Sequence, residues 1–368
     1  MEKIKLVKLN IGEEEMNAVK KVFQTGCLTQ GPVTKEFEDE FARYLGIRNA
    51  ISTSSCTTAL DLALLTLDIG PGDEVIVPDF TFPATGNVVF HVGAKPILVD
   101  IDLESYNIDC TMIEDAISKK TKAIIPVHLF GQSAEMKKIM EIAEKHGLYV
   151  IEDAACGIGS THYGKKTGTF GDMSCFSFHP RKILTVGEGG MLVTNDDRLA
   201  DRARLIGNHG SKKESNTLCF VYPGYNFRLS EIASAIGLIQ LKKVDALIEK
   251  RIELARIYDE LLCDAEVDIP HRLPYNKHTY QTYCLLIKKE KKRDELITKL
   301  AEKAIETQIG TYALHLQPCY VEHKDIMPLN LTVSEKAFKN TLVLPLYDGL
   351  RKEEQDYICS NLVDVLRF

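Results

Sequence analysis

Between about residue 50 and residue 195, short runs of apolar and β-branched residues alternate with stretches that carry apolar positions at helical spacing. The runs are Glu74–Pro78, Pro96–Asp100, Ala123–His128, Leu148–Asp153, Ser174–Phe178 and Met191–Thr194. They are apolar almost without interruption, as strands buried on both faces are, so they predict a mainly parallel sheet covered by helices. One covering helix is read over Ser133–His146, with Met136, Ile139, Met140 and Ala143 on one face and Gly147 placed to stop it. After Ser230 a long helical pattern runs through Ile232, Ala235, Ile236, Ile239, Val244, Leu247, Ile248, Leu254 and Tyr258, with no proline before Pro270. Unbroken, it would reach about 45 Å at 1.5 Å per residue and could cross from one domain into the next. A kink near Lys242–Asp245 is the other reading. A strand-like Tyr283–Ile287, a charged helix from Lys291 to Lys303 and a last helix from Lys352 to Leu362 follow. The expected class is α/β: a large domain over residues 1–245, including the N-terminal segment, and a smaller C-terminal α+β domain over residues 246–368.

Composition narrows the function more than the fold. With 368 residues, 45% of them hydrophobic, the chain has ample material for a core. The net charge of −7 is spread along the chain with no basic stripe, which argues against a nucleic-acid partner. Ten cysteines occur without a C-x-x-C pair or zinc-ligand spacing, so neither a disulfide scaffold nor a metal site is expected. The opening MEKIKLVKLN lacks the apolar centre of a signal peptide, and no apolar run reaches the ~18 residues of a membrane span. A cytoplasmic protein with no membrane partner is the expectation.

In open parallel sheets ligands sit beyond the carboxyl ends of the strands, so the residues just after each run are the ones to read for chemistry. Ile51–Leu60 (ISTSSCTTAL) leads into an apolar helix, with Ser54, Ser55 and Thr57 as candidate N-caps. The free N–H groups of such a first turn can hold an anion, although an ordinary capped helix looks the same. Asp153 ends the run LYVIED, where a carboxylate can bind metal, cap a helix or pair with a cation. Lys182 lies in SFHPRKILTVGEGG among Phe176, Phe178, Ile183 and Leu184. A lone lysine is usually a solvated charge, but burial among these residues would disfavour its ammonium form and favour imine formation. Anion site, carboxylate and lysine together suit pyridoxal phosphate, which needs a seat for its phosphate, a partner for its ring nitrogen and an amine for its aldehyde. Phe82, in PDFTFPAT, could stack on the ring or be a core residue.

The segments TQGPVTKEFEDEFARYLG, GPGDEVIVPDFTFPAT, PVHLFGQSAEM, VIEDAA, FSFHPRKILTVGEGGMLVTND and GYNFRLSEIASAIG make the chain resemble the DegT/DnrJ/EryC1/StrS family of sugar aminotransferases over essentially its whole length. The resemblance implies the type I aminotransferase fold and pyridoxal 5'-phosphate as cofactor, with pyridoxamine 5'-phosphate as an intermediate form. It implies that Lys182 forms the Schiff base and moves the proton, and that Asp153 pairs with the pyridinium. It further implies that Cys56, Thr57 and Ser177 hold the phosphate and that Phe82 stacks on the ring. Asn226 is implied to reach the cofactor phosphate of a neighbouring subunit, making a homodimer with shared sites. The implied substrates are a nucleotide-linked keto sugar as acceptor and an amino acid, glutamate, as donor. Tyr312 and His315, in IGTYALHLQPCY, are placed in the sugar pocket along with Leu28–Pro32. Two positions depart from the family pattern. Cys156 stands where a polar residue usually faces the cofactor's phenolic side, and the phosphate loop reads SCT rather than SGT. Within the family, a dehydratase working with pyridoxamine phosphate would carry histidine in place of Lys182, and a regulator would bind cofactor without turnover. A nicotinamide enzyme would need the G-x-G-x-x-G that is missing after the first strands.

Overall fold

β1 (Asn49–Thr53), β2 (Glu74–Pro78), β3 (Lys95–Val99), β4 (Thr121–Ile124), β5 (Tyr149–Asp153), β6 (Met173–Ser177) and β7 (Gly190–Thr194) form one seven-stranded sheet in a computed structural model. The structure describes residues 3–214, 217–288, 293–323, 326 and 330–367. Strand order is β1-β7-β6-β5-β4-β2-β3. The pairs from β6 through β5, β4 and β2 to β3 are parallel; β7 runs antiparallel to both β6 and β1. The mainly parallel sheet expected from the apolar runs is therefore present. β1 was not among those runs, because only Ala50 and Ile51 in NAIST are apolar. Its polar residues are held by side chains instead: the Glu38 carboxyl accepts both the N–H and the hydroxyl of Ser52 at 2.9 Å.

The helices differ from the sequence reading mainly at their ends. Helix Met136–His146 starts three residues later than expected and stops at Gly147, whose φ of 64° only glycine adopts without strain. The long pattern forms one helix, Glu231–Leu262, of 32 residues. Val244, Leu247 and Ile248 in its first part pack with Phe37 and Phe41 of helix Pro32–Leu45. Leu254, Tyr258 and Leu262 in its last part pack into a second core with Tyr283, Leu285 and Ile287. That core lies on a four-stranded antiparallel sheet of Val267–Asp268, Tyr283–Ile287, Thr341–Leu344 and Gln308–Ile309. Ile4 also joins it, bridging to Ile305. Helix Arg293–Glu302 occupies most of the charged segment, and the expected start at Lys291 lies outside the described residues. The last helix runs on to Arg367. All ten cysteines are free thiols. Among the described residues no helix is long and apolar enough to cross a membrane.

Two distant sequence motifs meet at the start of helix Pro32–Leu45. Its N-cap, Gly31, has no side chain to offer, so Glu231 from the long helix caps it instead. The Glu231 carboxyl accepts the N–H groups of Gly31 at 2.9 Å, Val33 at 3.0 Å and Thr34 at 2.7 Å, plus the Thr34 hydroxyl at 2.7 Å. Its side chain is almost wholly buried. Glu231→Ala leaves the three backbone N–H groups without an acceptor, while the Thr34 hydroxyl keeps Ser234 at 2.9 Å, and is expected to cost about 3 kcal/mol. The urea midpoint should fall with an unchanged slope, and Glu231→Gln should fall less because its amide oxygen can still accept. A midpoint for Glu231→Ala equal to wild type would remove this account.

Candidate functional site

Successive residues on a strand point to opposite faces, and this separates the two carboxylates at the end of β5. Glu152 faces inward and is fully engaged. It accepts from His128 Nε2 at 2.9 Å, from the N–H groups of Gly168, Phe170 and Gly171 at 2.7, 2.7 and 2.8 Å, and from the Ser174 hydroxyl at 3.0 Å. His128 Nδ1 accepts the Ala134 N–H at 3.1 Å, so its proton sits on Nε2 and is donated to Glu152. Burial works against the Glu152 charge, but these donors hold its carboxyl below the usual range. Glu152 is structural.

Asp153 faces the other way. It is 4% exposed. The Thr85 hydroxyl donates to one carboxyl oxygen at 2.8 Å and the Ala155 N–H to the other at 3.1 Å. Burial pushes its carboxyl up despite these bonds and the nearby Lys182. A buried carboxylate with spare acceptor capacity and no cation hydrogen-bonded to it is suited to a positively charged N–H from a ligand. Thr85, itself positioned by Thr81 at 3.0 Å, escaped the sequence reading because a threonine in an apolar helix carries no signal of its own. Among the described residues no group of three or more His, Cys, Asp or Glu side chains that could hold a metal ion occurs.

Lys182 sits in the loop between β6 and β7, part-buried, with Ile183 and Leu184 in the core beneath it. Its Nζ donates to Cys156 Sγ at 3.0 Å. Burial lowers the lysine as the sequence suggested, but the sulfurs of Cys156 and Cys56 and the Asp153 carboxylate outweigh it, and the net shift is upward. The expectation that burial would disfavour the ammonium form is corrected: the hydrogen bond to Cys156 and the Asp153 carboxylate favour it more than burial opposes it. Cys156 thus faces the lysine amine directly.

The helix start read as a candidate anion seat is that of Cys56–Thr66. Ser55 caps it, accepting the Thr58 N–H at 3.1 Å while the Thr58 hydroxyl accepts the Ser55 N–H at 3.0 Å. Among the described residues no acceptor meets the N–H groups of Cys56 and Thr57, which remain for a ligand. Gly190 makes this geometry possible. It pairs with Thr53 on one side and Ser177 on the other. A Cβ there would lie 2.4 to 2.6 Å from the Ser55 carbonyl and the Cys56 nitrogen. The close approach brings Ser177 to the same end as Cys56 and Thr57. The Cys56 thiol is pushed well up by burial, which leaves its backbone N–H as the useful group.

Phe82 is 64% exposed, which rules out the core reading, and its ring meets Tyr312 edge-on at 6.4 Å. Tyr312 is carried there by the pairing of Tyr312–Ala313 with Phe80–Thr81. His315, three residues on, is held by the buried Asp79: the His315 backbone N–H lies 2.8 Å from one carboxyl oxygen and its Nδ1 2.6 Å from the other. Burial lowers the His315 imidazole, but the Asp79 partnership dominates and raises it. Asp79 was not singled out from sequence, though it directly follows β2. Asn226 is exposed. Its backbone bridges Asn208, and among the described residues its side-chain amide has no hydrogen-bond partner.

Fold and site together are those of an α/β aminotransferase. The chain belongs to the DegT/DnrJ/EryC1/StrS aminotransferase family, whose model matches residues 9–363. It is 39% identical to the GDP-perosamine synthase of Caulobacter vibrioides over 335 residues, covering 90% of this chain and 89% of that one. It is 38% identical to the pleiotropic regulatory protein of Geobacillus stearothermophilus over 361 residues, covering 96% and 95%. A putative sugar aminotransferase of Streptococcus pneumoniae, solved in its PMP form, superposes with a TM-score of 0.95 at 29% identity, covering 99% of this chain and 98% of that one.

Proposed function

We propose that the protein transfers an amino group from an amino acid, glutamate, to the keto carbon of a nucleotide-linked sugar, using pyridoxal 5'-phosphate that passes through pyridoxamine 5'-phosphate. The observation that carries this reading is the convergence of Lys182, Asp153 and the open first turn of helix Cys56–Thr66 at the carboxyl ends of the sheet. The residues fit the cofactor. The free N–H groups of Cys56 and Thr57 and the Ser177 hydroxyl suit its phosphate, the Asp153 carboxylate its ring nitrogen, and the exposed Phe82 ring its face. When bound, pyridoxal phosphate supplies an aldehyde that condenses with amines and a ring that disperses the electron pair left when a proton is removed. Asp153 keeps the proton on the ring nitrogen. Lys182 Nζ would be the amine that holds the cofactor's aldehyde and, when free, the base that would take up and return the proton at carbon. Cys156 occupies the lysine's flank and offers a weaker hydrogen bond than the polar residue common at this position.

Tyr312, His315 and Leu28–Pro32 are assigned to the sugar side, where Asp79 holds His315 from behind. A GDP-linked keto sugar is the first acceptor to try, since one relative is a GDP-perosamine synthase. Purified protein is to be given glutamate and GDP-, UDP- or dTDP-linked keto sugars in turn. Turnover with one of them, giving parallel lines in double-reciprocal plots, is expected for two separate half-reactions. Intersecting lines, or no spectral change with glutamate alone, would count against it. The regulatory relative raises a second reading, binding without turnover; the presence of both Lys182 and Asp153 favours catalysis, and the glutamate spectrum separates the two. The cytoplasm is the proposed compartment.

The active unit is a homodimer in which Asn226 completes the neighbour's phosphate seat. Its unpartnered, exposed amide supports this reading. Lys182→Ala and Asn226→Ala subunits, each defective alone, are to be mixed under exchange conditions. A mixed dimer then holds one site with both defects and one with neither, so activity rises above either parent. No recovery on mixing would place Asn226 in its own chain's site.

A further inference from the structure

Lys182 must present its nitrogen at one spot although it hangs from a loop, and a single side chain grips that loop on both sides of it. Gln281 Oε1 accepts the Ile183 N–H at 3.0 Å, while its Nε2 donates to the Arg181 carbonyl at 2.6 Å. Gln281 is 6% exposed, so water does not compete for these bonds. The amide carries both the acceptor and the donor that this N–H and C=O require; an ionised carboxylate would set oxygen against the Arg181 carbonyl.

Gln281 is itself fixed from two directions. The strap that carries it is tied to the turn after β4: the Thr279 N–H donates to the Gly131 carbonyl at 2.9 Å and the Thr282 N–H to the Phe130 carbonyl at 3.2 Å. Gly131 has φ 101°, and a Cβ there would lie 2.7 Å from the Gln281 nitrogen, so the strap passes as close as the backbone allows. From the long helix, the buried Arg251 donates through one Nη to the carbonyls of Tyr280 at 3.2 Å and Gln281 at 3.4 Å. Lysine loop, β4 turn and long helix thus meet at this residue.

We propose that Gln281 is a positioning residue for the reaction: it holds the backbone on either side of Lys182 so that Nζ is presented to the cofactor in one place. This rests on the reading of Lys182 as the cofactor lysine. The test uses the full-length holoenzyme and two variants of nearly unchanged shape, Gln281→Met, which removes both bonds, and Gln281→Glu, which turns one into a repulsion. Gln281→Met should lower kcat about 10- to 100-fold. The donor KM should stay within about threefold. The borohydride-trapped fraction on Lys182 and the visible absorbance should fall, while pyridoxamine phosphate affinity holds, because the phosphate seat, Asp153 and Phe82 are untouched. Gln281→Glu should lower kcat, the trapped fraction and the absorbance further than Gln281→Met, with pyridoxamine phosphate affinity again held. Wild-type kcat and absorbance in Gln281→Met would overturn the proposal. So would a loss of pyridoxamine phosphate affinity and thermal midpoint in step with kcat, which marks general damage. If either variant fails to fold, Gln281→Asn, which keeps the amide but withdraws it by one methylene, is judged by the same criteria. Borohydride label on a lysine other than Lys182 in the wild type would instead refute the underlying reading.

Discussion

Lys182→Ala is expected to abolish transamination, with turnover at least about 10³-fold below wild type. The substitution removes the site's amine, the Nζ that stands 3.0 Å from Cys156 and within the field of Asp153. The phosphate seat at Cys56 and Thr57 does not depend on that amine, so the variant should still take up pyridoxamine phosphate. In the wild type, borohydride reduction followed by peptide mapping should place a single pyridoxyl adduct on Lys182. Lys165 and Lys212 are exposed and face no comparable set of groups, and label on either would defeat the assignment. A Lys182→Ala variant with substantial turnover would do the same.

Asp153→Asn should bind cofactor and be nearly inactive. The change keeps the shape and can keep the hydrogen bond from Thr85, but it removes the charge that stabilises a proton on the ring nitrogen. Single electrostatic contributions of this kind are worth ~3 kcal/mol or more, which is about 100-fold in rate. The loss should fall on kcat more than on the donor KM, since the charge matters most after the proton has left carbon. Because burial already raises the Asp153 carboxyl in the free protein, the cation supplied by the cofactor should draw it down on binding. Asp153→Asn should therefore bind cofactor with less sensitivity to acid than wild type. Near wild-type turnover would falsify the role given to this residue.

Strand-rich segments were legible because burial on both faces forces nearly continuous apolar runs. Four of the expected strands differ from those observed by one residue at an end or both, Glu74–Pro78 matches at both, and Ala123–His128 shares only Ala123 and Ile124 with its strand. β1 was not legible, since an edge strand whose polar residues are satisfied by Glu38 has no need of such a run. The continuity of helix Glu231–Leu262 was open in the sequence, because periodicity alone does not separate one straight helix from two kinked ones. Packing decided it, by giving the two ends different cores to join.

Within the site, Lys182, Asp153 and the capped turn before Cys56 could be picked out by type and by position after a strand, and the family motifs joined them. What supports them could not. Thr85, Asp79 and Gln281 are common residues in unremarkable surroundings, and their roles arise from hydrogen bonds spanning 68, 236 and about 100 positions. The sequence by itself determined which groups the chemistry has, because reactive side chains are defined by residue type and by the strand ends that carry them. Only the tertiary structure decided how those groups are held and charged. The direction of the Lys182 shift depends on Cys156, Cys56 and Asp153 standing around one nitrogen, and electrostatic energies follow distance in space rather than along the chain.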